Sequence, residues 1–110
     1  MREYRDASNR LTFDLSGQEE DFGRFAKGMI SLHGDPIHRL DDPLGDQRYW
    51  DFNVEGTTVV LHSDVMAGVS IHVEDGSHEA LLRDIVKTLT KDKNPQNQQI
   101  QPIAGEPGSG

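Results

Sequence analysis

From Arg48 to Glu74, apolar and polar residues alternate with period two, and turn-forming residues interrupt the alternation twice. Glu55-Gly56 marks the first reversal, because glycine supplies the positive φ that a two-residue hairpin needs. Pairing outward from it sets Val54 opposite Thr57, Phe52 opposite Val59 and Trp50 opposite Leu61 on one face. The other face carries Tyr49, Asp51 and Asn53, opposite His62, Val60 and Thr58. Met66-Ala67-Gly68 marks the second reversal. It adds Val69, Ile71 and Val73 to the apolar face, together with Val65, and Ser70, His72 and Glu74 to the polar face beside Asp64 and His62. A residue hydrogen-bonded to one antiparallel neighbour is not hydrogen-bonded to the other, and two tight turns at these positions break that alternation. The second reversal therefore requires a longer loop or a bulge. The expected register sets His62 opposite His72.

The flanking segments have helical and strand periods of their own. Leu11, Phe13 and Leu15 alternate with polar residues as a half-buried strand. Ser16-Gly17-Gln18-Glu19 fits a capping box, in which Ser16 and Glu19 would satisfy each other's backbone amides. Phe22, Phe25, Ala26, Met29 and Leu32 follow at helical spacing, with Gly34 as the stop. Glu19, Glu20 and Asp21 then sit where a helix dipole favours negative charge. Ile37 to Leu40 reads as a short edge strand, and Asp41 to Asp46 as an acidic loop. Asp75-Gly76-Ser77 precedes a second helix striped by Leu81, Leu82, Ile85, Val86 and Leu89, with Lys87, Lys91 and Lys93 toward its end. The order is β-α-(β)-β-β-β-α. It predicts an α+β two-layer domain over residues 1–93, a largely antiparallel sheet of four or five strands with two helices on one face. Residues 94–110 are polar and read as a disordered tail, whose Gly-Ser-Gly has the composition of a linker.

Composition narrows the classes. With 110 residues, 34% of them hydrophobic, and a mean hydropathy of -0.66, the chain supports one thin core. No cysteine is present, which excludes disulfides and thiolate metal sites and is compatible with a cytoplasmic location. No apolar stretch approaches the ~20 residues of a membrane span, and Met1 to Arg5 is not a secretory signal. A net charge of -8 disfavours nucleic acid and anionic membranes and would attract a basic protein.

Chemistry-bearing motifs are few. Asp41, Asp42 and Asp46 lack calcium-loop spacing, and Pro43 interrupts them. His62 and His72 on adjacent strands could share a metal, with Tyr49, Asp51, Asp64 and Glu74 nearby. Two nitrogen ligands on an open face do not make a closed site, so neither metal nor cofactor is expected. Ser70, His72 and Asp64 supply the residue types of a triad without a nucleophile elbow or an oxyanion hole.

The segments Tyr49-Trp50-Asp51-Phe52, Thr58-Val59-Val60-Leu61-His62 and Gly68-Val69-Ser70-Ile71, in a short acidic chain of this element order, resemble the small immunity proteins of bacterial polymorphic-toxin and contact-dependent inhibition systems. The resemblance implies a non-catalytic inhibitor that binds a cognate, basic toxin such as a nuclease. The expected binding surface is Tyr49, Asp51, His62, Asp64, His72 and Glu74, rimmed by Asp41, Asp42 and Asp46. The competing classes are a small metal-dependent or hydrolytic enzyme using the His62/His72 face, and an acidic regulatory or chaperone-like subunit.

Overall fold

A computed structural model describes residues 1–91. The elements are β1 (Arg2–Arg5), β2 (Leu11–Ser16), a 3-10 turn (Glu19–Asp21), α1 (Phe22–His33), β3 (His38–Asp41), β4 (Gln47–Val54), β5 (Thr57–Asp64), β6 (Gly68–Val73) and α2 (Glu79–Lys91). They form one six-stranded antiparallel sheet in the order β1-β2-β6-β5-β4-β3, with both helices packed on one face. The predicted α+β class and helix placement hold, but the sheet has six strands rather than four or five, the additional one being β1.

The Glu55-Gly56 hairpin forms as expected. Both residues have positive φ (53° and 83°), and the Asn53 side chain accepts the Gly56 amide at 2.9 Å. Register then sets Phe52 against Val59 and Trp50 against Leu61. The core joins Phe52, Val54, Val59, Leu61, Val69, Ile71 and Val73 to Leu11, Phe13 and Leu15 of β2. Phe22, Phe25, Ala26 and Met29 of α1 and Leu82, Ile85, Val86 and Leu89 of α2 close over them. Phe22 meets the edge-on ring of Trp50 with centroids 5.1 Å apart and planes at 90°, the geometry aromatic quadrupoles favour.

Four local expectations are corrected. The second reversal is a three-residue loop, Val65-Met66-Ala67, so Val65 leaves the core face and is 51% exposed. With that loop, Ser70 stands opposite His62 and Val60 opposite His72; the two histidines are diagonal rather than facing. The capping box does not form. The Ser16 hydroxyl accepts from the Gln18 amide at 3.0 Å and donates to the Asp21 carboxylate at 2.6 Å, and a 3-10 turn precedes α1. Finally, β1 has no apolar alternation; it pairs with β2 through the backbone ladder, and its charged side chains are all engaged, Arg2 with Asp14 at 2.6 Å, Glu3 with Arg83 at 2.9 Å, and Arg5 with Glu79. The predicted tail, 94–110, and Lys93 lie outside the described residues.

One glycine is required sterically. Gly68 opens β6 at φ 92°, and a Cβ there would lie 2.1 Å from the Ser16 carbonyl oxygen. Backbone cannot yield as a flexible side chain would, and β2 already bulges between Asp14 and Ser16 to pass this point. Replacing Gly68 with Ala should therefore destabilise the fold by about 2–4 kcal/mol, read as a lowered urea midpoint. The same change at Gly23, where nothing lies within 4 Å of the added carbon, should not lower it.

Candidate functional site

The sheet face opposite the helices is built from the even positions of β1, β2, β5 and β6 and the odd positions of β4. One row across it runs Arg2, Asp14, Ser70, His62, Tyr49, Leu40; the next runs Tyr4, Thr12, His72, Val60, Asp51, His38. Not all of it is wet. Thr12 and Val60, on either side of His72 in the sheet, are only 3% and 6% exposed. The face is a polar platform with a closed centre.

Tyr49 and His62 are its best-defined pair. Their register makes them cross-strand neighbours, and the rings stack with centroids 4.3 Å apart and planes 7° from parallel. Gln47 fixes both: its Oε1 accepts from the Tyr49 hydroxyl at 2.5 Å and from His62 Nε2 at 3.2 Å. The imidazole proton is thereby assigned to Nε2, leaving the Nδ1 lone pair facing Ser70 Oγ at 3.5 Å. Burial pushes the His62 pKa below its ordinary value, against a smaller opposing pull from Asp64. A neutral imidazole stacked on a phenol results. The Ser70 contact is longer than a nucleophile–base pair needs, and a neutral glutamine stands where a triad places a carboxylate. The arrangement holds His62 in place rather than activating Ser70.

The other nominated residues divide. Asp51 lies on the face, with an oxygen 3.8 Å from His38 Nδ1. His72 lies deeper; burial, reinforced by the nearby Arg10 guanidinium, pushes its pKa down to about 4. Asp64 sits at the end of β5, where its carboxylate accepts the Met66 amide at 2.7 Å and shapes the turn. Glu74 has left the strand; its carbonyl accepts from Arg10 at 3.2 Å and its side chain is exposed. Asp41 is not on the rim. It is the last residue of β3 on the helix side, where it accepts the Trp50 indole N–H at 2.9 Å. Asp42 turns its carboxylate to the Leu44 amide at 3.0 Å, and Asp46 is exposed in the same loop.

Several residues of the platform went unassigned in the sequence, Arg2, Tyr4, Asp14 and Gln47 among them. Tyr4 and Arg2 come from β1, whose polar run gives no strand signal, so Tyr49 is not the platform's sole tyrosine; the Arg2 guanidinium lies 4.8 Å from the Tyr4 ring. Gln47 and Asp14 were readable from strand parity alone, given that β4 begins at Gln47 and β2 faces β6. Among the described residues, no three His, Cys, Asp or Glu side chains converge as a metal-ligand group. His33, in the last turn of α1, has a buried Nε2 without a hydrogen-bond partner among those residues, and its pKa is lowered by burial. It lies far from the platform, on the helix side beside Leu81 and Ile85. The chain matches no protein-family model, no curated protein and no solved structure in the comparisons made.

The half-buried histidines His62 and His72 set a pH dependence. The unfolded chain takes up a proton at His72 as pH falls through about 6.5, whereas the native site resists until about 4. Stability is therefore complete above pH 6.5 and is lost progressively between pH 6.5 and 4, with His62 acting in the same direction. Allowing for partial exposure, the loss by pH 5 should be about 1–2 kcal/mol in urea titrations. His72→Gln should flatten that slope.

Proposed function

We propose that this chain is a non-enzymatic protein-binding module that engages its partner through the open sheet face. Within that class we favour an immunity protein that neutralises a basic toxin in the cytoplasm. The supporting observation is the Tyr49–His62 stack, an aromatic pair held by Gln47 on the sheet face opposite α1 and α2. Binding hot spots concentrate on such aromatic anchors, whose ordering cost is already met before the partner arrives. Leu40, 55% exposed beside Tyr49, extends the apolar contact, Asp51 supplies negative charge one row away, and Glu74 adds an exposed carboxylate past the end of β6. The net charge of -8 would steer a basic partner to this surface.

The test begins with co-purification of the chain and the product of an adjacent gene encoding a large secreted protein, followed by affinity measurements on folded variants. Tyr49→Ala should weaken binding by about 2 kcal/mol or more, appearing as faster dissociation. Asp51→Lys with Glu74→Lys should slow association and reduce its salt dependence. Unchanged affinity and association rate in both variants would eliminate this face.

A further inference from the structure

The two edges of the sheet are not equivalent. On β1 the charged side chains are committed inward, Arg2 to Asp14, Glu3 to Arg83 and Arg5 to Glu79. On β3 all four residues, His38-Arg39-Leu40-Asp41, are exposed, and neither Arg39 nor Asp41 has an ion pair among the described residues. Arg39 rests its guanidinium 4.2 Å from the Trp50 ring, and Asp41 accepts the indole N–H of the same residue. Opposite charges are thus displayed side by side on an edge whose outer backbone groups have no strand beside them among the described residues.

The direction of those backbone groups follows from the β3–β4 ladder. Asp42 N–H donates to the Gln47 carbonyl at 2.9 Å, and the register continues Leu40 to Tyr49 and His38 to Asp51. Alternation turns the backbone of His38, Leu40 and Asp42 toward β4, and that of Arg39 and Asp41 outward.

We propose that β3 pairs antiparallel with β3 of a second copy of this chain, centred on Leu40. This register makes Arg39 and the second copy's Asp41 a hydrogen-bonded pair, twice by symmetry, so the outward backbone groups of both residues are satisfied. The same two pairs oppose guanidinium and carboxylate on the helix side. Leu40 meets its own symmetry mate at the non-hydrogen-bonded position, where side chains come closest, on the platform side. His38 falls opposite Asp42. Shifting by two residues one way sets Arg39 against Arg39, and the other way Asp41 against Asp41. A shift by one sets helix-side residues against platform residues. Beyond the four central residues the ladder stops, because Pro43 has no N–H and the Ile37 amide is already given to the Asp51 carbonyl at 2.8 Å. One register is self-complementary. The dimer would join two sheets edge to edge and set the two platforms side by side; it does not depend on the toxin-binding reading.

Sedimentation of the full chain from about 10 μM to about 1 mM, a range suited to a small interface, should show reversible conversion from 12.3 kDa monomer to dimer. Arg39→Asp and Asp41→Arg each place like charges at both pairs and should each weaken self-association by about tenfold or more. An equimolar mixture of these two variants restores opposite charges at both pairs and should form a heterodimer with close to wild-type affinity. Far-ultraviolet circular dichroism checks that each variant is folded, and Arg39→Pro, which removes an outward N–H and none directed at β4, provides a second variant that should be monomeric. A wild-type chain that stays monomeric throughout the range overturns the proposal. So does a dimer indifferent to the single substitutions, or single variants that do not recover on mixing.

Discussion

The pairing register of β4 and β5 is the constraint on which the other elements depend. A two-residue turn with both central residues at positive φ leaves the strands no freedom to slide, so Val54 must face Thr57 and each later pair follows. A slip of one residue would turn one strand over against the other, sending either Phe52 or Val59 and Leu61 to solvent and bringing either Asp51 or His62 under the helices. Burying those side chains contributes roughly 1.5–3 kcal/mol each, against a cost of several for an unpaired buried charge, so the register is decided many times over. Both amphipathic helices then have one face on which to dock. The β5–β6 loop, with Gly68 threading past the Ser16 carbonyl, carries the same partition to β2.

That partition does not make the second face merely a solvated surface. Thr12 and Val60 are almost fully covered, and His72 between them is depressed in pKa by burial. Cross-strand neighbours about 5 Å apart can shield one another when long side chains flank short ones, and the row Tyr4, Thr12, His72, Val60, Asp51 alternates in that way. Stacking Tyr49 on His62 under a shared glutamine acceptor is the same economy applied one row away.

Strand and helix content was legible in the sequence wherever side-chain period and burial coincide: Leu11 to Leu15, Arg48 to Val73 and the stripes of both helices. It was illegible where charge replaces periodicity. Arg2 to Arg5 becomes a strand by laddering onto β2, and three of its side chains find ion-pair partners distant in sequence, in Asp14, Glu79 and Arg83, which no local signal encodes. The platform was half legible. Parity put Tyr49, Asp51, His62 and His72 on one face. The number of residues in the β5–β6 loop, which parity does not determine, decided that His62 meets Ser70 instead of His72. Asp41 was misplaced for a related reason: the strand runs one residue further than Leu40, and that residue belongs to the helix side.

Edge protection in an antiparallel sheet can be achieved by charge, but the form of the charge matters. On β1, side chains bound to neighbours inside the fold present a row of satisfied ion pairs, and an approaching strand would have to compete with Asp14, Arg83 and Glu79 for them. On β3, Arg39 and Asp41 are held against Trp50 by a cation–π contact and a single hydrogen bond, both of which leave the charges available. Alternating unlike charges two residues apart repel most strand registers and accept one. Such an edge resists general aggregation while remaining selective for a strand of matching sequence, and Arg39-Leu40-Asp41 matches itself when reversed about Leu40.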